Sequence, residues 1–229
     1  MAKYPYQSLI GGLMYLAVST RPDIAYAVNF MSQFNSNYSE EHWKSAKRIL
    51  RYVKGTVQQG LLYKKTGADL YGVVDADWGA NSLDRRSYSD FAFIYAGSSI
   101  SWEARKQRTV SLSSTESEYI AITEAAKEAL YLKGALEEVG IECASVKLFN
   151  DNQSAQKLAV SSNFHPRTKH IDVRHHFIRD CVRDKAITLE YMSTQKMPAD
   201  ILTKGLTELK HSNCSSSLGL IECNQEEEE

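Results

Sequence analysis

The chain has 229 residues, 43% of them hydrophobic, which is enough to bury one substantial core and a small second one. Its formal net charge is -1 and its pI is about 6.6. This balance excludes a protein that attracts nucleic acid through its overall charge. Any such contact needs a local basic patch.

Four cysteines lie far apart and form no CxxC pair, which argues against a zinc ribbon and against a disulfide framework. The longest apolar run, Leu9 to Val18, contains two glycines and is shorter than the roughly 20 residues of a membrane helix. We therefore expect an intracellular protein, cytoplasmic or nuclear, that is neither secreted nor membrane-bound.

Apolar residues spaced three and four apart predict three helices in the first sixty residues, at Tyr6 to Val18, Ile24 to Phe34 and Trp43 to Val53. Five basic residues surround the polar side of the third helix. Such a face can follow a phosphate backbone, although a solvated surface is the commoner explanation of a charge run. These residues are Lys44, Lys47, Arg48, Arg51 and Lys54.

From Leu61 onwards the pattern changes to strands, a long helix, and then alternating strands and helices. This order predicts a mixed sheet with helices on its faces. The predicted strands are Leu70 to Val74, Tyr88 to Tyr95, Ser99 to Trp102, Val146 to Phe149 and Ile187 to Met192. The predicted helices are Ser114 to Glu138, Ser154 to Val160, Ile171 to Arg183 and one that begins at Pro198.

Two acidic residues, Asp75 and Asp151, follow predicted apolar strands. A carboxylate buried without compensation is costly, and a bound cation is one of the few arrangements that offset this cost. Asp77 lies on the same strand face as Asp75 and is also a candidate ligand. For Asp75 and Asp77 the alternative is a role in forming the turn before Gly79. For Asp151 the alternative is helix capping.

Further acids lie where helices begin. Glu116 and Glu118 open the long helix, and because they are two residues apart only one can face a common site. Asp200 follows the proline that starts the last helix. Each of these acids could simply complement a helix dipole. Four acids at the ends of elements in one α/β unit nevertheless have a common explanation in a divalent metal site.

Six motifs resemble, in this order, the ribonuclease H region of copia-type LTR retrotransposon Pol polyproteins. The resemblance spans about residues 69–206, and three upstream segments resemble the helical end of the reverse transcriptase that precedes it. The six motifs are Val74–Gly79, Ser101–Gln107, Ser113–Tyr119, Asn150–Ala155, Thr168–Phe177 and Pro198–Lys204. The upstream segments are Tyr6–Leu16, Thr20–Val28 and Ala46–Thr56.

The resemblance implies an α/β fold, a ribonuclease H-like mixed sheet with helices on both faces, preceded by a small helical segment. It divides the chain into a thumb- or connection-like helical end of a reverse transcriptase at residues 1–60 and a ribonuclease H-like domain at residues 69–206. Residues 207–229, rich in serine and ending in four glutamates, are expected to be disordered. No Tyr-x-Asp-Asp turn precedes residue 69, so polymerisation by this chain alone is not expected.

The resemblance also implies the site and its chemistry. Two Mg²⁺ ions, with Mn²⁺ as a substitute, are expected to activate a water and stabilise the leaving 3′ oxygen, which yields a 5′ phosphate and a 3′ hydroxyl. Asp77 and Glu116 remain fallback positions. The acids that the family assigns to catalysis and metal binding are Asp75, Glu118, Asp151 and Asp200.

The implied partner is an RNA:DNA hybrid, with the remainder of a reverse transcriptase as a second partner. Specificity for RNA requires contact with the 2′ hydroxyl, for which small polar groups near the acids are candidates. The expected nucleic-acid-binding residues are Asn152, Ser114, Thr115, Arg105, Lys106, Lys169 and Arg174.

The loop before Asp200 lacks the histidine that ribonucleases H usually carry there. Four histidines lie one segment earlier, but their spacing matches no familiar zinc pattern, and phosphate contact or helix packing explains them better. Two alternatives to an active ribonuclease H remain. One is a catalytically idle remnant that binds nucleic acid, and the other is an integrase-like enzyme. The histidines are His165, His170, His175 and His176.

Overall fold

The computed structural model describes residues 4–81, 83–160 and 172–223. It begins with three helices, α1 (Tyr6–Ser19), α2 (Ala25–Ser32) and α3 (Glu40–Gly55), as the apolar spacing predicts. Ser39 caps α3, because its Oγ accepts a hydrogen bond from His42 N and His42 Nδ1 accepts one from Ser39 N.

Five strands form the central sheet in the order β4-β3-β2-β5-β6. Within this sheet β3 is antiparallel to both β2 and β4, whereas β5 and β6 run parallel to β2. A separate two-stranded sheet pairs the short strand that follows α3 with the last strand of the described chain. The strands are β1 (Gln59–Leu61), β2 (Tyr71–Ala76), β3 (Tyr88–Tyr95), β4 (Ser98–Lys106), β5 (Val146–Asn150), β6 (Ile187–Tyr191) and β7 (Leu220–Glu222).

Helices cover both faces of the sheet. On one face α4 (Ser114–Glu138), α5 (Gln153–Val160) and α6 (Asp172–Arg183) enclose a core to which the sheet contributes Val74 and Leu148. The expected α/β architecture, a mixed sheet with helices on both faces, is confirmed.

The opposite face is covered by the helices at the two ends of the chain. Helices α1 to α3 share a core with α7 (Asp200–Thr203) and α8 (Glu208–Ser217), to which the sheet contributes Val73, Ala92 and Ile94. Trp102 Nε1 in β4 donates a hydrogen bond of 2.7 Å to the α1 carbonyl of Ala17. The small helical segment therefore packs directly on the sheet.

The expectation that residues 207–229 are disordered is wrong for residues 207–223. Helix α8 and strand β7 lie in this segment, and β7 pairs with β1. Cys214, Leu218 and Leu220 are buried there, so the segment gains enough apolar contact to order its backbone despite its serines. Residues 224–229 lie outside the described residues. Within the described ranges, no helix combines the length and hydropathy needed to span a bilayer.

Candidate active site

Three carboxylates from three different elements meet at one edge of the sheet. Asp75 is the penultimate residue of β2, Asp151 directly follows β5, and Glu118 lies near the start of α4. One oxygen from each of these side chains lies within 4.8 Å of the other two. They come together because β2 and β5 are parallel neighbours, with Val74 opposite Asn150, so that their carboxyl ends share an edge.

The start of α4 decides which of its two glutamates faces this edge. Ser113 caps the helix, because its Oγ accepts a hydrogen bond of 3.1 Å from Glu116 N. The Glu116 carboxylate turns back and accepts a hydrogen bond of 2.7 Å from Leu112 N. Glu116 thus lies in the first turn of the helix, where it can complement the helix dipole, while Glu118 is the glutamate that the structure brings to Asp75.

Three neutral side chains hold the carboxylates in place, and the sequence reasoning had assigned none of them to the site. Asn150 is fully buried, and its Nδ2 donates a hydrogen bond of 2.8 Å to Glu118 Oε2. Thr194 Oγ1 donates to Asp151 Oδ2 at 2.6 Å, and Thr203 Oγ1 donates to Asp75 Oδ2 at 2.9 Å. Asn150 and Thr203 lie in the same motifs as Asp151 and Asp200, and this position is the only sequence signal that pointed to them.

Burial makes the ionised form of this cluster costly. Burial raises the pKa of Asp75 to about 6, although the Lys204 ammonium opposes the change. Burial, together with the charges of Asp75 and Asp151, raises the pKa of Glu118 to about 9. Three converging carboxylates with oxygen-only donors fit a hard divalent cation, which would offset their repulsion.

Asp200, the fourth expected ligand, is placed differently. Its side chain is fully buried, with Lys204 Nζ 2.5 Å from Oδ1 and Lys210 Nζ against Oδ2. Burial acts to raise the pKa of Asp200, but these lysines hold it below its ordinary value. Lys204 Nζ also lies 3.3 Å from Asp75 Oδ2, so it stands between the two aspartates. The role of Asp200 as a metal ligand stays a prediction.

Two other buried aspartates flank the site. Asp77 Oδ1 accepts a hydrogen bond from Tyr88 N, the first residue of β3. The Asp77 side chain therefore has a structural role where β2 and β3 pair. Asp90 faces Asp75 across the antiparallel register, and its Oδ1 accepts a hydrogen bond of 3.1 Å from Asp75 N. Burial, followed by the charges of Asp75 and Glu118, raises the pKa of Asp90 well above its ordinary value. Sequence reasoning missed Asp90, although an acid within the predicted apolar strand Tyr88 to Tyr95 is itself an unusual feature.

The expected nucleic-acid-binding residues differ in their surroundings. Ser114 is exposed and Thr115 half-buried on the first turn of α4, beside Glu118. Asn152 Oδ1 accepts a hydrogen bond of 3.0 Å from Ala155 N and so caps α5.

The basic members of the set are partly engaged in ion pairs. Arg105 pairs with Glu103 at 3.0 Å, and Lys106 pairs with Asp84 at 2.7 Å. Arg174 is half-buried on α6, whereas Lys169 lies outside the described residues. Neither ion pair is deeply buried, so both can exchange for a phosphate contact at modest cost.

No protein-family model matches the chain. A retrovirus-related Pol polyprotein from the tobacco (Nicotiana tabacum) transposon TNT 1-94 is 43% identical over 220 residues, which cover 96% of this chain and 17% of that protein. The chain thus spans about one sixth of that relative. A Plasmopara viticola protein named secreted RxLR effector protein 161 is 48% identical over 133 residues, 58% of this chain and 94% of that protein.

Among solved structures, a foamy viral protease-reverse transcriptase in complex with an RNA/DNA hybrid matches with a TM-score of 0.53 and 14% identity, over 89% of this chain and 26% of that one. At this identity the likeness shows a shared fold. Sequence similarity to the tobacco polyprotein, in contrast, extends along almost the whole chain and includes the motifs that carry the acids. Over 96% of its length, the chain is similar to one part of a retrovirus-related Pol polyprotein of a transposon.

Proposed function

We propose that this chain is the ribonuclease H region of a copia-type Pol polyprotein and hydrolyses the RNA strand of RNA:DNA hybrids by a metal-dependent endonucleolytic reaction. The observation that carries the proposal is the convergence of Asp75, Glu118 and Asp151, within 4.8 Å of one another, at the carboxyl edge of a ribonuclease H-like sheet. The hybrid in the foamy viral complex supports the choice of substrate class.

The three carboxylates would hold Mg²⁺, or Mn²⁺ in its place, with Asp200 as the expected fourth acid. When bound, such cations lower the pKa of water and stabilise charge on a leaving oxygen. Asn150, Thr194 and Thr203 restrict the orientation of the ligands through the hydrogen bonds described above. Attack of water on phosphorus breaks the bond to the 3′ oxygen and leaves a 5′ phosphate and a 3′ hydroxyl.

Recognition of the RNA strand is assigned to polar groups around the acids. Ser114 is exposed and Thr115 half-buried one turn before Glu118, where hydroxyl groups can reach a 2′ hydroxyl in the shallow minor groove. The remainder of a reverse transcriptase is the proposed second partner.

The test is incubation of the purified chain with a hybrid labelled on its RNA strand, with Mg²⁺, with Mn²⁺ and with EDTA. We expect metal-dependent cutting of RNA in the hybrid, no cutting of duplex DNA, and loss of more than about a hundredfold in rate for Asp75→Asn and Asp151→Asn. Cutting of duplex DNA would favour an integrase-like enzyme. Hybrid binding without cutting by folded protein would identify an idle remnant.

A further inference from the structure

A lysine ammonium contacts two of the expected metal ligands at once. Lys204 Nζ lies 3.3 Å from Asp75 Oδ2 and 2.5 Å from Asp200 Oδ1, and Lys210 Nζ contacts the other Asp200 oxygen. Lys204 directly follows α7, four residues after Asp200, so a single helical turn places its ammonium over that carboxylate.

The charges on the two sides of Asp75 are therefore compensated differently. On the Asp200 side, two lysines face one fully buried carboxylate. On the other side, no lysine or arginine of the described residues forms an ion pair with Glu118 or Asp151. A buried charge without a counter-ion is unfavourable, so the need for a cation is greatest at Asp75, Glu118 and Asp151.

A cation placed between Asp75 and Asp200 would meet the Lys204 ammonium at short range, where like charges repel strongly because little water separates them. The Lys204 side chain is 38% exposed, in contrast to the 3% and 0% of the Asp75 and Asp200 side chains. It can therefore swing outwards into solvent, whereas the aspartates cannot.

We propose that Lys204 acts as a built-in substitute for the second cation: the free protein binds one divalent ion, at Asp75, Glu118 and Asp151, and accepts another between Asp75 and Asp200 only after Lys204 withdraws. This inference rests on the proposed function for the existence of the first ion. Lys204 is thus a positioning residue that keeps Asp75 and Asp200 together when the second position holds no metal.

The test is the number of Mn²⁺ ions bound by the full chain without nucleic acid, counted from the electron paramagnetic resonance signal of free Mn²⁺. We expect one ion for the wild type and two for Lys204→Met, with the second site tightened by at least about tenfold. Lys65→Met, which removes an exposed lysine between β1 and β2, is the matched control and is expected to bind one ion.

Lys204→Gln provides a second variant, and thermal unfolding establishes that each variant is folded before ions are counted. Two sites of equal affinity in the wild type would overturn the inference without any variant. An unchanged count of one in folded Lys204→Met and Lys204→Gln would overturn it as well. Absence of any Mn²⁺ binding by the wild type would contradict the proposed metal site itself, whereas one bound ion without hybrid cleavage would contradict only the proposed function.

Discussion

Asn150 Nδ2 lies 2.8 Å from Glu118 Oε2 and donates a hydrogen bond to it inside the fully buried end of β5. The same amide group is 3.4 Å from the carbonyl oxygen of Val74, the residue before Asp75. One neutral side chain therefore joins the three elements that carry the acidic cluster. It also stabilises the ionised form of Glu118, against the burial that favours the protonated one.

Replacing Asn150 by serine should weaken Mn²⁺ binding about 10-fold to 100-fold, because Glu118 loses the donor that orients it. Isothermal titration calorimetry of the folded variant measures this change. Asn37→Ser, at an exposed position before α3, is the control and should bind Mn²⁺ like the wild type. Equal affinities for all three proteins would show that Asn150 does not orient the ligand.

The metal-free protein should lose stability as the pH rises from about 5 to 9. The folded-state pKa of Glu118, about 9, lies above its ordinary value of 4.5, so across this window the folded chain retains a proton that the unfolded chain releases. The resulting stabilisation is fully present below pH 4.5 and disappears as the pH passes about 9.

Thermal unfolding in EDTA at pH 6 and pH 9 measures this effect. We expect the Tm of the wild type to fall by at least about 3 °C, and Mg²⁺ to restore much of it at pH 9. Glu118→Gln removes the titrating group and should show a clearly smaller fall. A wild type and a variant with the same pH dependence would contradict the assigned electrostatics.

Gly219 should not tolerate a side chain. Its φ is +85°, and a Cβ at this position would lie 2.5 Å from the Cα of Ser98, which is backbone and cannot move aside. Gly219→Ala should lower the free energy of unfolding by about 2 kcal/mol or more. Chemical denaturation measures the loss.

Gly140 provides a matched control for this substitution. Its φ of +82° is nearly the same, but a Cβ there meets nothing within 4 Å. Gly140→Ala should therefore cost only the conformational strain of about 1 kcal/mol. Equal losses for the two variants would mean that the segment joining α8 to β7 does not pack against β4 as described.

Deletion of residues 1–60 should prevent the remaining chain from folding cooperatively. The deletion removes the α1 and α2 side chains that share a core with Val73 and Ala92, and a sheet face left open to water is unstable and prone to aggregation. Circular dichroism during heating measures the outcome. A sharp unfolding transition in the truncated protein would show that the rest of the chain folds independently of the helical segment.

Most elements and the positions of Asp75 and Asp151 could be predicted from local patterns, whereas the choice of Glu118 over Glu116 required the family resemblance. Apolar periodicity and acids at strand ends are properties of short segments, and Asp75 and Asp151 follow apolar strands whose parallel pairing brings them to one edge. Asp90 could not be placed in the same way, because its contact with Asp75 depends on the register between β2 and β3.

Local sequence patterns also could not predict that residues 207–223 form a helix and a strand. Its serines indicate disorder when taken alone, but Leu218 and Leu220 are buried against parts of the chain more than 100 residues earlier, through contacts such as that of Ser99 Oγ with the Leu218 carbonyl. The pairing of Lys204 with two aspartates likewise requires that α7 is packed beside β2. Such long-range contacts leave no periodic signal in the sequence.

The most direct test of the central claim is cleavage of a hybrid labelled on its RNA strand by the wild type and by Asp75→Asn, each in Mg²⁺ and in EDTA. We expect RNA fragments with 5′ phosphate and 3′ hydroxyl ends from the wild type in Mg²⁺ and no fragments in EDTA. Equal cleavage by folded Asp75→Asn, or cleavage by the wild type in EDTA, would contradict it.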